Sequence, residues 1–435
     1  SPQTGIAGTY NRGLMDPVST LAQHLANAAR QTPQALALLT AERRWTFADL
    51  LAAITALGTS ISAARKPLVL SGSSLDLARH AFACSLENRP FWPVDRNRSP
   101  TWRGELPPQV ALVIATSGSE GEPRVVMLTD ANLDAAAAAS NRHLPLAAGD
   151  LWLDCLPLHH IGGLSILWRC ARAGAAVLLH DGFAAEAVAA DLHRHPVTHL
   201  SLVPAMLARL LETGVAPPES LRHVLIGGAA LSQPLYEKAT AAGWPLNPSY
   251  GMSETAAQVA THTPTDGPWH EGLVGRALGN SEFALATDGR IRIRGPQVMA
   301  GYLDGSGIDG DGWLTTGDLG KIDPEGRLTV TGRADDMLIS GGRNVHPLEV
   351  ESCLAACPGV RDVAVTGLPD PVWGDLIVAL MVGEATQASL RDWCRTRLPG
   401  AAQPRRIVHL AGLPRNAAGK LERSVLRQLA RESGS

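Results

Sequence analysis

The segment TSGSEGEPR, residues 116–124, has the residue types best suited to hold phosphate. It follows the apolar run VALVIA (110–115), and its small residues allow successive backbone N–H groups to curve around phosphate oxygens. Hydroxyl groups would add donors, and an arginine would add a forked positive charge. The GxxxxGK[ST] spacing of a Walker A loop is absent, and the alternative is an ordinary glycine-rich surface loop. The predicted phosphate contacts are Thr116, Ser117, Gly118, Ser119, Gly121 and Arg124.

The elements that would position this segment alternate between strand-length apolar runs and helix candidates. This alternation is typical of a parallel sheet with crossover helices, in which ligands gather at the carboxyl ends of the strands. Helices are predicted at 130–140 and at 205–212, the second opened by Pro204. The predicted class is therefore α/β, with parallel-rich sheets and flanking helices. The strand candidates are 110–115, 151–156, 175–180, 199–203 and 223–226.

The length of 435 residues favours a large domain with a smaller one beside it. The pattern changes around residue 330, after which short helices and strands alternate. We therefore predict an N-terminal domain over 15–332, a hinge at 333–336 and a small, mobile α+β domain over 337–435. Residues 1–14 are small, polar and aperiodic, as in an expression remnant or a disordered start.

Composition narrows the class of protein. Hydrophobic residues make up 45% and charged residues 18%, which favours a globular fold, and the net charge of -3 gives no bulk attraction to nucleic acid or anionic membrane. The six cysteines form no CxxC pair and are expected to be reduced. Without a long apolar run or a secretory signal, we expect a cytoplasmic protein with no membrane span. Whether it forms a homodimer stays open.

Seven segments occur in an order that resembles the acyl-adenylate-forming superfamily of acyl-CoA synthetases, adenylation domains and luciferases. The resemblance covers nearly the whole chain. It implies an ATP-dependent acid–thiol ligase that uses ATP, Mg²⁺ and coenzyme A, with a carboxylic acid as substrate. The segments are TSGSEGEPR (116–124), LPLHHIGG (156–163), GGAA (227–230), YGMSET (250–255), TTGD (315–318), GRADDMLISGGRNVHPLEVE (332–351) and PRNAAGK (414–420).

The resemblance assigns roles that single residues would not reveal. A lone turn carboxylate such as Glu254 is usually just solvated, yet here it is the implied magnesium ligand. A lone lysine such as Lys420 is usually a surface residue, yet here its ammonium would offset charge during adenylation. Asp318, in what reads as a Thr-Thr-Gly turn, would accept hydrogen bonds from the ribose hydroxyls. The other implied ATP contacts are Gly228, Ala229, Tyr250 (stacked on adenine), Gly251, Ser253 and Arg333.

A second half-reaction is implied for the C-terminal domain. Asp335 matches the hinge about which the small domain rotates between the two reactions. The segment SGGRN (340–344) would then line the pantetheine tunnel, and its implied coenzyme A contacts are Gly341, Gly342 and Arg343. Arg405 and Arg406 are further candidates for the phosphates, although charge clusters are commonly solvated.

The predicted phosphate-binding segment, residues 116–124 and called the cradle below, departs from the family pattern. Glu120 stands where many relatives have threonine, Arg124 where most have lysine, and Val125 where glycine usually follows. Arg124 keeps the positive charge, but Glu120 adds a negative group beside polyphosphate. Because glutamate also occurs here in some acyl carrier ligases of the superfamily, a carrier-protein thiol is an alternative acceptor.

Three stretches resemble the o-succinylbenzoyl-CoA synthetases of menaquinone biosynthesis: 156–175, 202–211 and 250–264. His160 matches the family histidine at the acyl pocket, with a core histidine as the alternative. Arg169 matches an arginine that would bind the non-reacting carboxylate of a diacid, unless it reaches the surface as long cationic side chains often do. The alternatives are a ligase for aromatic or medium-chain monocarboxylic acids and a non-catalytic nucleotide-binding relative.

Overall fold

The computed structural model describes residues 20–98, 100–116 and 124–433. Among these residues, no helix is long and apolar enough to cross a bilayer. The helices are α1 (Leu21–Gln31), α2 (Phe47–Gly58), α3 (Ser74–Leu86), α4 (Asp130–His143), α5 (Ile161–Ala173), α6 (Ala185–Arg194), α7 (Pro204–Glu212), α8 (Gln233–Ala241), α9 (Pro347–Ala355), α10 (Gln387–Arg395) and α11 (Arg423–Glu432).

The strands are short, as in most α/β proteins. The first twelve are β1 (Leu36–Leu39), β2 (Arg44–Thr46), β3 (Leu68–Leu70), β4 (Phe91–Pro93), β5 (Val110–Ala115), β6 (Val125–Thr129), β7 (Leu151–Asp154), β8 (Ala176–Leu179), β9 (His199–Leu202), β10 (His223–Ile226), β11 (Leu246–Met252) and β12 (Ala257–Thr261). The rest are β13 (Leu273–Gly275), β14 (Glu282–Leu285), β15 (Arg290–Arg294), β16 (Gly301–Tyr302), β17 (Leu314–Ile322), β18 (Leu328–Arg333), β19 (Leu338–Ser340), β20 (Arg343–Val345), β21 (Val360–Asp370), β22 (Gly374–Gly383) and β23 (Arg406–His409).

The central sheet has the order β12-β11-β10-β9-β7-β8-β1-β2, and its interior pairs are parallel. Helices cover both faces because each strand alternates its side chains between two apolar clusters. Trp152 packs with α1 to α5 on one face, whereas Leu151 and Leu153 pack with α6 to α8 on the other. Burial on both faces fixes the register, since a one-residue slip would exchange the two sets.

The predicted α/β class is confirmed. A second sheet (β16-β6-β5-β4-β3) and an antiparallel sheet (β13-β18-β17-β15-β14) complete the larger part of the chain. The C-terminal part is α+β: β19 to β23 form one sheet, packed with α9 to α11. Residues 334–337 connect β18 to β19, so the predicted hinge falls between two sheets, and its mobility stays a prediction.

Two sequence expectations are wrong in detail. The run 110–115 forms a strand, β5, but this strand lies outside the central sheet. It belongs to the second sheet, in which it pairs antiparallel with β6. The segment between them is too short for a crossover helix, which needs about a dozen residues. The residues TTGD do not form a turn: they lie within β17, where a register shift against β15 separates Thr315 from Leu319 and produces a bulge that contains Asp318.

Candidate active site

The loop that carries Lys420 is folded by one side chain. Asn416 accepts hydrogen bonds at Oδ1 from the backbone N–H groups of Ala418 and Lys420, both at 3.0 Å. The intervening Gly419 has a φ of +75°, and a Cβ there would overlap Cγ2 of Val203. This loop of the C-terminal part therefore contacts the N-terminal part at Val203, the residue directly before α7.

Lys420 projects among charged groups from several elements. Desolvation lowers the pKa of its ammonium, and Arg333 lowers it further, while Glu254 and Asp318 oppose the shift. More than a third of the side chain is accessible to water, although protein atoms from both parts of the chain crowd around it. Because accessible charges are screened by water, the downward shift of the pKa is modest. The predicted catalytic lysine and the two predicted carboxylates thus belong to one site.

Asp318 is held between an aromatic and a cationic side chain. The hydroxyl of Tyr250 donates to Oδ2 of Asp318 at 2.7 Å, and Nη1 of Arg333 lies 3.2 Å from Oδ1. Burial, followed by the negative charge of Asp318, raises the pKa of Tyr250 well above its usual range. Three residues that were predicted from separate motifs are therefore in direct contact. Arg333 also lies 4.0 Å from the hinge residue Asp335.

Glu254 lies in a single 3-10 turn, Ser253–Thr255, directly after β11. The hydroxyl of Tyr302 donates to its Oε1 at 2.7 Å, and the guanidinium of Arg124 lies 3.6 Å from the Tyr302 ring centre. Arg124 also donates to the hydroxyl of Ser306 at 2.6 Å. This arrangement connects the end of the predicted cradle to the predicted metal ligand. A Cβ at Gly251 would overlap the carbonyl oxygen of Ala257, so the turn requires glycine there.

The residues of this site fit Mg²⁺ delivered with ATP. Within the described residues, no group of three or more histidine, cysteine or acidic side chains could hold a metal alone. Magnesium commonly binds one or two carboxylates and completes its shell with water and phosphate oxygens. A single, oriented Glu254 matches that requirement.

His160 is the residue before the first turn of α5 and is half-buried. Its ring centre lies 4.3 Å from that of His159, whose Nε2 is 3.6 Å from Asp95. Burial lowers the pKa of His160 to about 4, with smaller contributions from His159 and Lys420. The ring is therefore neutral at physiological pH. Its electrostatic coupling to Lys420 connects the acyl-pocket motif to the ATP site.

Arg169 does not reach the surface. It is 3% exposed, and its guanidinium carbon lies 5.3 Å from the centre of the Trp152 ring. Burial lowers its pKa to about 10, so it keeps its charge at neutral pH. Among the described residues, Nη1 has no hydrogen-bond partner. A buried, charged and incompletely bonded donor is the arrangement that an anionic ligand would complete.

The C-terminal part contacts the larger part at a second point. Glu271 accepts the hydroxyl hydrogen of Ser352 on α9 and, through its other oxygen, the backbone N–H of Gln233 at 3.1 Å. Of the predicted tunnel residues, Gly341 and Gly342 form the exposed turn between β19 and β20, and Arg343 is the exposed first residue of β20. A Cβ at Gly341 would contact Trp373, whereas Gly342 faces open space.

Not every prediction can be placed. Ser117, Gly118, Ser119 and Gly121 lie outside the described residues, and so does Glu120. Thr116 is described: its hydroxyl and its backbone N–H both donate to the carbonyl oxygen of Arg124, at 3.2 and 2.8 Å. Gly228 has a φ of +79° and faces Val203, beside Ala229 in the turn after β10.

Sequence reasoning missed three residues of this site: Val203, Tyr302 and Asn416. The tyrosine of the GYLDG segment (301–305) has a hydroxyl that can donate to a carboxylate, but nothing in its neighbouring residues identifies Glu254 as the acceptor. Val203 had no signal, because its role depends on a glycine that follows it by more than two hundred residues.

Two family models match the chain. The AMP-binding enzyme family matches residues 75–303, and its C-terminal domain matches residues 349–420. A protein named 2-succinylbenzoate–CoA ligase from Listeria monocytogenes serotype 4b is 39% identical over 328 residues, which is 74% of this chain and 70% of the relative.

Solved structures extend the likeness to the whole fold. The o-succinylbenzoate CoA synthetase of Bacillus subtilis in complex with the acyl-adenylate intermediate OSB-AMP gives a TM-score of 0.82 at 31% identity, covering 93% of this chain and 97% of that one. A double mutant of the same enzyme with the product analogue OSB-NCoA gives 0.67 at 30% identity, covering 93% of this chain and 98% of that one. From the motifs, the fold and these matches, the chain belongs to the AMP-binding enzyme family.

Proposed function

We propose that this chain is an ATP-dependent acid–CoA ligase that converts 2-succinylbenzoate first to its acyl-adenylate and then to its coenzyme A thioester. The observation that carries the proposal is the position of Lys420, which the C-terminal loop brings beside Glu254 and Asp318. Relatives with this activity in their names support the choice of acid. The greater similarity to the adenylate-bound enzyme than to the product-analogue complex supports an adenylate-forming arrangement.

In the first half-reaction, a carboxylate oxygen of the acid attacks the α-phosphorus of ATP and pyrophosphate leaves. Lys420 would offset the negative charge that develops on the α-phosphate. Mg²⁺ bound with ATP would neutralise charge on the phosphates, and Glu254 would hold it. Arg124 and Thr116, together with the cradle glycines and hydroxyls, would contact the phosphates.

The nucleoside would be recognised by the contacting pair Tyr250 and Asp318. With its hydroxyl bonded to Asp318, the Tyr250 ring is fixed in orientation, and it would stack on adenine beside the backbone of Gly228 and Ala229. The carboxylate of Asp318 would accept bonds from the ribose hydroxyls, and Arg333, 3.2 Å from Oδ1, would hold it in position.

In the second half-reaction, the coenzyme A thiol attacks the acyl carbonyl and AMP leaves. This step requires the thiol to reach a site where Lys420 now lies, so the C-terminal domain would rotate about Asp335. The turn with Gly341, Gly342 and Arg343 would then line the pantetheine path.

The acid would lie along α5. His160 is at the start of the helix and Arg169 is nine residues further on, a rise of about 13 Å at 1.5 Å per residue. A neutral His160 would contact the reacting carboxyl group, while the partner-less Nη1 of Arg169 would bind the distal carboxylate.

The test is pyrophosphate release by the full chain with ATP, Mg²⁺, coenzyme A and a panel of acids. We expect release to depend on acid and to be fastest with 2-succinylbenzoate, with the CoA thioester as product. Preference for aromatic or medium-chain monoacids would replace the proposed substrate. Thioester formation only on a carrier protein would replace the acceptor, and no acid-dependent release with any acid would identify a non-catalytic relative.

A further inference from the structure

A buried polar layer lies between the central sheet and helices α4 and α5. Four side-chain atoms in it have almost no accessible surface and no hydrogen-bond partner within the described part of the chain. Buried polar atoms are bonded in about nine cases out of ten, so four such atoms together call for an explanation. They are Nη1 of Arg169, Oδ2 of Asp154, Nε2 of His199 and Oδ1 of Asn141.

Trp152 is at the centre of this layer. Its indole N–H donates to the hydroxyl of Ser201 at 3.0 Å, the His199 ring stacks on it at 4.8 Å, and the Arg169 guanidinium carbon lies 5.3 Å from its centre. Asp154 follows two residues later on β7 and therefore points to the same face of the sheet. The layer is thus one compartment, not four isolated defects.

Asp154 and Arg169 are the two charged members, and they are 0% and 3% exposed. Each attracts the other electrostatically. Oδ1 of Asp154 accepts the backbone N–H of Leu156 at 3.1 Å, but neither Oδ2 nor Nη1 is bonded among the residues described. Two opposite charges in the same dry compartment without direct contact leave room for a third polar group between or beside them.

Charge balance then limits what can bind. Arg169 opposes the rise in the pKa of Asp154, and an ionised Asp154 would compensate the charge of Arg169 when no acid is bound. If the distal carboxylate of a diacid enters and binds Arg169, two anions share one buried cation. Like charges held in one site cannot both stay ionised at little cost, so one of the carboxyl groups takes up a proton.

We propose that Asp154 is a specificity-determining residue that balances the charge of Arg169 in the free enzyme and takes up one proton when the distal carboxylate of the acid binds. This inference rests on the proposed function, because it requires an acid with two carboxyl groups. The proton comes from solvent and is bound at Oδ2, so the compartment keeps its total charge.

Neighbouring groups leave Asp154 as the site of the proton. His199 is neutral, since burial lowers its pKa to about 4, and its Nδ1 is 2.9 Å from the hydroxyl of Thr198. That hydroxyl also lies 3.1 Å from the carbonyl oxygen of Leu151. Burial raises the pKa of Asp154 well above its usual range, which makes proton uptake cheap. The other titratable groups near this region are the thiols of Cys155 and Cys170, whose pKa values burial raises, and Asp150, whose main partner is Arg222. His223 also lies here, with its ring centre 5.1 Å from that of His199, and burial lowers its pKa.

The experiment uses two non-reactive sulfamoyl-adenosine analogues of the acyl-adenylate, one from the diacid and one from its distal methyl ester. Titration calorimetry of the full chain in buffers of different ionisation enthalpy gives the number of protons taken up with each. We expect the diacid analogue to take up nearly one proton more than the ester analogue near pH 8. In Asp154→Asn, which keeps the bond to Leu156, this difference should fall to about zero.

Asp150→Asn is the matched control, because it removes a carboxylate from the residue that directly precedes the same strand and should keep the difference. Equal uptake with both analogues in the parent chain would overturn the role of Asp154, whatever the variants do. A difference that persists in Asp154→Asn would do the same. Equal affinity for both analogues would instead show that no distal carboxylate is recognised, which contradicts the proposed diacid itself.

Discussion

The phenol of Tyr302 donates its hydrogen bond to Oε1 of Glu254 across 2.7 Å, which joins β16 to the turn after β11. The same ring is covered by Arg124 at 3.6 Å. One oxygen of Glu254 is therefore occupied and oriented, and the other is left for a metal. Tyr302 would therefore affect a bound cation indirectly, through the orientation of the Glu254 carboxylate.

We expect Tyr302→Phe to weaken magnesium use, because the ring remains under Arg124 while Glu254 loses its fixed orientation. Loss of a partner that orients a metal ligand typically costs about 10- to 100-fold in metal affinity. The measurement is acid-dependent pyrophosphate release as a function of Mg²⁺ concentration. Conversion of a presynthesised adenylate to thioester, which needs no ATP, is the control and should be unchanged. An unaltered Mg²⁺ dependence would contradict the role assigned to Tyr302.

The lowered pKa of Lys420 predicts that adenylation is lost at alkaline pH. Desolvation lowers the pKa of its ammonium, so the charged, active form is present at low pH and is lost as pH rises through a value below that of an ordinary lysine, about 10.4. The profile of kcat/KM for pyrophosphate release should therefore fall in the alkaline range. In Lys420→Arg any remaining activity should persist to higher pH, because guanidinium does not deprotonate there. The same alkaline fall in both proteins would assign it to another group.

The close approach of Gly419 to Val203 allows the contact between the two parts of the chain to be tested by adding a methyl group. Alanine there would combine a left-handed backbone with overlap of Val203, whose β-branched side chain has little freedom to move. Gly419→Ala should slow adenylation by at least about tenfold, the effect of roughly 1.4 kcal/mol, and spare thioester formation from a presynthesised adenylate. Val203→Ala in the same chain should restore part of the rate. Equal loss of both half-reactions would indicate a general folding defect.

Ser352 supports the same arrangement from α9. Ser352→Ala removes the hydrogen bond to Glu271, and a bond of this type contributes about 0.5–1.5 kcal/mol. Adenylation should therefore slow by roughly 2- to 12-fold, at 1.36 kcal/mol per decade, while thioester formation is unchanged. Ser389→Ala is a suitable control, because that hydroxyl bonds only to Thr386 at the start of α10. A change in Ser352→Ala no larger than in the control would show that this contact does not select the adenylating state.

The elements that depend on local pattern were predictable, and those that depend on distant partners were not. The run 110–115 has the β-branched, apolar composition of a strand, but only its pairing with β6 decides which sheet it joins. The helix predicted after Pro204 forms as α7 (Pro204–Glu212), because proline fits the first turn of a helix. The Tyr302–Glu254 bond joins residues 48 positions apart, and no local signal points from one to the other.

Arg169 illustrates the same limit within the site. An arginine on an apolar helix can snorkel or stay buried, and the helix sequence alone does not distinguish these outcomes. Packing decides: α4 and the central sheet enclose this part of α5, and Asn141 on α4 bonds the carbonyl of Arg169 at 2.9 Å. The apolar run LWLDCL likewise predicted β7, but only the fold reveals that Asp154 is buried in the same compartment.

Arg169→Ala should separate a diacid from its distal methyl ester. The guanidinium is buried beside Trp152, so its removal would leave the substrate carboxylate unpaired in a dry compartment, at a cost of about 3–5 kcal/mol. At 1.36 kcal/mol per decade, kcat/KM for 2-succinylbenzoate should fall by roughly two to four decades. The methyl ester has no distal charge to pair, so it should be a poor substrate for the parent and lose little more in the variant. Arg172 lies about one helical turn further along α5 and is bonded to Asp134. The substitution Arg172→Ala is therefore the control for a nonspecific loss of helix packing. If both substrates fall together, or if the diacid loses less than tenfold, Arg169 has a structural role and does not select the acid.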